Sequence, residues 1–451
     1  MGLNILLDDF EVKLNEGLSS KYEQRKQALE SLEHFSKAFF DERNLDEVVI
    51  EETPFANPTW VTLSTNLDYI KQQAEKYCRK INHIIIGNGG SIEPALAIYR
   101  ALIESFGKAK LIPIDSSNPD DECVRAINTK GEINKHNAVV YAISKSGNTL
   151  NTILQALVFM KAGYTVVPIT DNKPSTLKSI TDIKEMEFIE HTDVGGRFTA
   201  NQPNALVPVY AAAMHNDIEA SIDDFVKGLN EIAQVVRPNI PINENIAKQI
   251  ALLLYKAELA GYNEIYMPVY SKKLMGLTGI ITQQVHETYG KNDSGQTILA
   301  VEGPECQHHT NQRFFGGQKN MVAILVGVEN YDNEVIADVS GFEDVDLKNI
   351  GKLGSLQKLK FSDLLKYERL GVYETAKEKH MPIMDIVLDR ADGNSVGKFM
   401  GLIQGIVMYS AFLRGNRWED QPAVEDSRNK TIEMSVSRKA ISVYSSDVIR
   451  V

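Results

Sequence analysis

Apolar positions along this chain follow two rhythms, short unbroken runs and longer stretches repeating every three or four residues. His83-Ile84-Ile85-Ile86, Lys110–Ile114, Val139–Ile143 and Thr165–Ile169 are runs of the first kind, the signature of strands buried on both faces. Between them, Ala95, Leu96, Tyr99, Leu102 and Ile103 predict one helix; Leu150, Ile153, Leu154, Leu157, Val158 and Met160 predict another. Helical spacing also marks 20–42 and 62–81 near the start. Strands alternating with helices imply a parallel sheet covered on both sides, with its ligand crevice beyond the carboxyl ends of the strands.

Arg237-Pro238-Asn239-Ile240-Pro241 interrupts the helical pattern and reads as a domain boundary. A second alternation then begins. Ile246–Leu259 predicts a helix, Glu264–Tyr270 a strand, Leu274–Tyr289 a helix, and Thr297–Val301 and Met321–Val328 further strands. The stretch 333–366 reads as irregular or inserted. Ile383–Leu388 is apolar, and Ser395–Leu413 is a helix apolar on all sides, hence buried. The division is 1–236, 237–414 and a mostly polar tail, 415–451.

Composition changes this picture little. The chain has 451 residues, 43% hydrophobic, with a net charge of -12, which disfavours non-specific nucleic-acid binding. Cys78, Cys123 and Cys306 form no CxxC pair, which fits a reducing compartment. The start, MGLNILLDDF, has no basic region before its apolar residues and is no signal peptide. No run approaches the ~20 apolar residues of a spanning helix. The expectation is a soluble, cytoplasmic protein.

The candidate chemistry lies where strands meet helices. After Val139–Ile143 comes Ser144-Lys145-Ser146-Gly147-Asn148-Thr149, hydroxyl-rich and opening directly into a helix. Free N–H groups and the helix dipole favour an anion there, so the turn reads as a phosphate cradle. An ordinary connection capped by Asn148 or Thr149 would look the same. Gly87-Asn88-Gly89-Gly90-Ser91 follows His83–Ile86 in the same way; it lacks the third glycine of a dinucleotide fingerprint, and no Walker loop is present. Val194-Gly195-Gly196-Arg197-Phe198-Thr199 pairs glycines with an arginine, although a turn with an exposed arginine is the plainer reading. Glu287 stands near a helix end, four residues after Gln283 and on the same face. The dipole there raises a carboxylate's proton affinity unless something compensates, which suits a proton-transfer base. Cys306-Gln307-His308-His309 on an extended segment would face its imidazoles apart, which argues against a metal site.

Taken in order, these motifs resemble the glucose-6-phosphate isomerase family from about residue 83 to about 430. They are the turn ending at Ser91, Ser144–Thr149, Val194–Thr199, Gln283-x-x-x-Glu287 with Gly290-Lys291, Gln307-His308, and Gln421-Pro422-x-Val424-Glu425. The resemblance implies two flavodoxin-like α/β sugar-isomerase domains, with mostly parallel sheets sandwiched by helices, and a C-terminal tail. It implies reversible aldose–ketose isomerisation of glucose 6-phosphate and fructose 6-phosphate, a step of glycolysis and gluconeogenesis, without metal or redox cofactor. Ser91, Ser144, Lys145, Ser146 and Thr149 would hold the phosphate, with Gly90 and Gly196 giving the backbone close approach. Arg197 would stabilise a cis-enediolate, Glu287 would move the proton, and Gln283 would contact the substrate. His308, contributed by the partner of a homodimer, would open the sugar ring. The family's tail lysine is Arg428 here, which can steady an oxyanion but is a poor proton donor; His308 or Lys430 would take that task, or the sugar would reach the site already open. A glucose/mannose-6-phosphate isomerase and a non-catalytic sugar-phosphate sensor are the rival readings. Ile92-Glu93 after Ser91 has no reading in these terms.

Overall fold

The structure, a computed structural model, describes residues 4–5, 65–118, 132–237 and 240–437. The helix predicted over 20–42 and Cys123 lie outside these residues.

A two-residue strand, β1 (Asn4–Ile5), precedes the first described helix, α1 (Leu67–Glu75), which ends short of the predicted 81; residues 62–64 of that prediction lie outside the described ones. The alternation then follows the pattern closely: β2 (Asn82–Ile86), α2 (Glu93–Leu102), β3 (Lys110–Ile114), β4 (Ala138–Ile143), α3 (Leu150–Lys161), β5 (Thr165–Thr170), α4 (Thr176–Ile183) and β6 (Ile189–Glu190). All pairings among these strands are parallel, in the order β3-β2-β4-β5-β6. Numbered from β2, this is the flavodoxin-like order 2-1-3-4-5, whose switch point falls between β2 and β4. Every residue of β2 and β4 is buried, as continuous apolar runs require. In α3 the inward face is Thr152, Ile153, Ala156 and Phe159, whereas the predicted Leu154 and Val158 look out to solvent.

Two long helices, α5 (Pro203–His215) and α6 (Glu219–Val235), lead to α7 (Ile246–Leu259) and β7 (Glu264–Val269). The helix predicted over Leu274–Tyr289 is two helices, α8 (Lys272–Met275) and α9 (Thr278–Tyr289). The break sits at Gly276, where a Cβ would stand 2.6 Å from the Arg100 Cβ on α2, so close packing interrupts an otherwise helical pattern. Next come β8 (Thr297–Glu302), α10 (Gly303–Cys306), α11 (Thr310–Gly316) and β9 (Met321–Val328). The stretch read as irregular holds a small hairpin, β10 (Asp346–Leu347) with β11 (Gly351–Lys352), and the start of α12 (Phe361–Glu378). Then follow β12 (Ile383–Leu388), α13 (Gly393–Leu413) and, in the tail, α14 (Glu425–Ser437).

The second sheet runs β1-β12-β9-β7-β8, parallel except for β1 against β12. Counted from β7, its parallel strands repeat the order 2-1-3-4, so the two sheets share a winding. One hydrophobic core runs through both, joining Tyr141, Phe225, Leu253, Ile265 and Met400. Contrary to the expectation that no run is long enough to span a bilayer, α13 has the length and composition to do so. Here it is the central core helix, buried on almost all sides.

Candidate active site

The switch point of the first sheet places two loops side by side. β2 ends in Gly87-Asn88 and a 3-10 turn at Gly89–Ser91; β4 ends in Ser144–Thr149. They pack so closely that a Cβ on Gly87 would lie 2.9 Å from the Ile143 carbonyl.

In the second loop, Ser144 is buried and its Oγ lies 2.9 Å from Thr149 Oγ1. Gly147 adopts φ +63°, with a space where a Cβ would meet Ser175 Oγ at 2.1 Å. The capping alternative is overturned. Thr149 occupies the N-cap of α3 without a side-chain bond to it, and Asn148 Oδ1 instead accepts from the Thr176 N–H (3.0 Å) and hydroxyl (3.1 Å) on α4. The first N–H groups of α3 therefore open onto the loop, with Ser146 exposed beside them. Lys145 is not a free cation, since its Nζ pairs with Asp193 at 2.7 Å, and Lys173 pairs with the same carboxylate at 3.2 Å. Lys145 foremost, with Lys173, holds the Asp193 carboxyl below its ordinary range.

The Gly195-Gly196-Arg197 turn presses on the first loop. A Cβ on Gly90 would stand 2.4 Å from the Arg197 nitrogen, and one on Gly196 2.7 Å from the Gly90 carbonyl carbon. No side chain fits at either position. Arg197 is not an exposed turn residue; it is 2% exposed and holds six hydrogen bonds. Nε donates to Thr288 Oγ1 (3.0 Å), and Nη1 to Glu287 Oε2 (3.2 Å) and Gln421 Oε1 (2.9 Å). Nη2 donates to the carbonyls of Trp418, Asp420 (3.2 Å) and Glu287 (3.4 Å). Burial pushes the guanidinium down from its ordinary value, and Glu287, Asp420 and Glu419 oppose that.

Glu287, near the end of α9, is partly exposed (25%) on the open side of this cluster. Both of its oxygens are held: Oε2 accepts from Arg197, and Oε1 from Gln283 Nε2 at 3.0 Å. Gln283 in turn lies on Gly89, its Nε2 2.8 Å from where a Cβ would be. Gly90, Gly196, Arg197, Gln283 and Glu287 thus meet at one place, beside the two loops of the switch point.

Other participants have roles that the sequence patterns do not show. Gln284 Nε2 donates to the Arg197 carbonyl (2.8 Å), and Trp418 stacks edge-on against Phe198. Lys291, nearly buried, donates to Asp420 Oδ1 (2.8 Å) and to the carbonyls of Arg417 and Asp420. Burial lowers the Lys291 amine, while Asp420 raises it. Two buried cations therefore grip the chain from Arg417 to Gln421. The motif pairs Gly290-Lys291 and Gln421-Pro422 are the available signal, but neither reveals which carbonyls the cations seek.

Two expected residues stand elsewhere. Arg428 is exposed on α14 and pairs with Glu425 of the same helix at 3.1 Å, so this structure does not bring it to Arg197 or Glu287. His308 is exposed in a helical turn between α10 and α11, not on an extended segment. It follows the carboxyl end of β8, whereas Glu287 lies near the opposite end, where His286 Nε2 accepts from the Ile298 N–H (3.2 Å). Six residues of strand, roughly 17–20 Å, separate those ends. Cys306 is buried against Tyr266 and the Gly303 carbonyl, away from both exposed imidazoles.

No protein-family model matches the chain. It is 27% identical over 365 residues to a protein of Methanocaldococcus jannaschii named glucose-6-phosphate isomerase, an alignment covering 77% of this chain and 82% of that one. A hypothetical protein of Thermus thermophilus shares the fold, with a TM-score of 0.78 and 23% identity, over 96% of this chain and all of that one. A glucose-6-phosphate isomerase from Chlamydia trachomatis does so with a TM-score of 0.66 and 17% identity, over 90% of this chain and 78% of that one.

Proposed function

We propose that this chain interconverts D-glucose 6-phosphate and D-fructose 6-phosphate through a cis-enediol(ate), with Glu287 as the proton-transfer base. The observation that carries the reading is a partly exposed carboxylate held by Arg197 and Gln283 next to an anion-accepting turn. The N–H groups of α3 and the hydroxyls of Ser91, Ser144, Ser146 and Thr149 take the phosphate, and Lys145 joins them by leaving Asp193. Glu287 removes the proton from C2 of the open aldose. That electron pair forms the C1=C2 bond as the carbonyl electrons move to the C1 oxygen. The C2 hydroxyl proton passes to the C1 oxygen, the O2 electrons form the C2 carbonyl, and the C1=C2 pair takes the proton back from Glu287 at C1, which gives the ketose, so nothing is oxidised overall. Arg197 sets a positive charge beside the developing enediolate, a contribution of ~3–4 kcal/mol for a preorganised donor.

The partner subunit's His308 opens the ring in a homodimer with shared sites, since one chain holds its own His308 at the far end of β8. Arg428 serves as a binding residue if α14 folds over the site, and proton work in ring opening falls to the partner subunit's His308 or to Lys430. In this reading 1–236 and 237–414 are two sugar-isomerase domains, the tail 415–451 completes the site, and the enzyme works in the cytoplasm.

Incubation with fructose 6-phosphate tests the reaction. Glucose 6-phosphate is expected. Mannose 6-phosphate in quantity would replace the strict specificity by a dual one, and binding without any aldose product would leave a sensor. Glu287→Gln should abolish exchange of the C2 proton with solvent while the sugar phosphate still binds; loss of binding instead would make Glu287 structural.

A further inference from the structure

Ile92-Glu93, directly after Ser91, takes no part in the chemistry above. Ile92 is buried core, and Glu93 begins α2 with its carboxyl turned toward α9. Gly279 leaves room for it there, since a Cβ on Gly279 would lie 2.5 Å from Glu93 Oε2. That oxygen is buried and has no hydrogen-bond partner.

Gly279, Gln283 and Glu287 recur every four residues, so they share one face of α9. Gln283 Nε2 points toward the helix end, donating to Glu287 Oε1. The oxygen of the same amide belongs to the face of α9 that Gly279 opens to Glu93. Gln283 Oε1 is likewise buried and without a partner. One shared hydrogen satisfies two buried acceptors on the same face, and a protonated carboxyl supplies it.

We propose that Glu93 is a positioning residue: its carboxyl hydrogen is donated to Gln283 Oε1, fixing the amide so that Nε2 holds Glu287. Burial raises the Glu93 carboxyl above its ordinary value; Arg100 on its own helix opposes this and Asp115, beyond β3, reinforces it. From α8, Lys272 and Lys273 pair outward with Glu302 and Asp332. On α9, Glu287 is already paired with Arg197. The inference rests on Glu287 being the base.

The test compares the unaltered chain with Glu93→Gln, which keeps a donor, and Glu93→Leu, which has none. Turnover of fructose 6-phosphate and thermal midpoints are followed from pH 5.5 to 9. Glu93→Leu should lower kcat about tenfold with KM nearly unchanged, the pattern of a misplaced base. Glu93→Gln should retain most of the turnover. A folded-state value above the unfolded one means that the stabilisation is present at low pH and lost as pH rises through the folded value. The midpoint and kcat of the unaltered chain should therefore fall relative to Glu93→Gln as pH rises. Midpoints that stay parallel across the range would overturn the shared hydrogen. Should Glu93→Leu fail to fold, the comparison with Glu93→Gln still decides. If the unaltered chain turns nothing over, the base assignment falls, and the midpoints alone still judge the hydrogen bond.

Discussion

At Arg197 the count and direction of donors matter as much as the charge. A guanidinium offers five N–H groups in a plane, and here they reach Thr288, Glu287, Gln421 and two carbonyls of the tail. Lysine would keep the charge and offer three donors from a single point, leaving several buried acceptors unpaired. Arg197→Lys is therefore expected to cost about 2–4 kcal/mol of stability and to cut kcat far more than KM; denaturant titration and steady-state kinetics measure the two. Gln283, Glu287, Gly196 and Arg197 are legible in the sequence because each lies in a short motif with its own local logic. Thr288, Gln284 and Trp418 are not, since their roles arise from contacts between segments some 90 to 220 positions apart, which no local spacing encodes. The pairing of Lys145 is hidden from the sequence for the same reason, because Asp193 reaches it only through the fold.

Among the elements, α13 shows how one residue type can carry opposite consequences. Gly393, Gly397, Gly401 and Gly405 form a stripe along which α6 and α7 approach within a Cβ's reach; at Gly397 the new atom would stand 2.1 Å from the Phe225 carbonyl oxygen. On α12, Gly371 is exposed with nothing within 4 Å of such an atom. Gly397→Ala should destabilise by about 1–3 kcal/mol or more through overpacking. Gly371→Ala should stabilise by about 0.5–1 kcal/mol through reduced chain entropy. Chemical denaturation of both variants checks the contrast of sign. The longer strands are readable almost to the residue because a strand buried on both faces is an unbroken apolar run, as in β4 and β9, whereas the two-residue β1, β6, β10 and β11 leave no such run to read. The break between α8 and α9 is hidden, since Gly276 yields to packing against α2 rather than to any local signal. The start of α12 is hidden too, because Phe361, Leu364 and Tyr367 lie exposed and its apolar positions mark no clear inward face.

For the molecule as a whole, two buried histidines set its tolerance of acid. Burial lowers His83 to about 3 and His191 to about 4, against an ordinary 6.5. The unfolded chain therefore takes up these protons first as pH falls. Their contribution is complete above about 6.5 and is lost on the way down through the folded values, at ~1.4 kcal/mol per unit for each. Thermal midpoints should drop from pH 6.5 to 4.5, and His191→Gln should make that slope shallower. The proposed shared sites make a second prediction. Glu287→Gln and His308→Ala chains, each inactive alone, should regain about a quarter of full activity when unfolded and refolded together, because half the dimers then carry one intact site of two. Recovery no greater than the sum of the separate chains would place His308 outside the site. The tail holds a further consequence. A nascent chain halted just before Trp418 already contains every strand of both sheets, yet its Arg197 lacks the Trp418, Asp420 and Gln421 acceptors. Three of the six hydrogen bonds of the buried guanidinium are then missing, so the last stretch of chain is what satisfies a charge the two sheets leave unpaired.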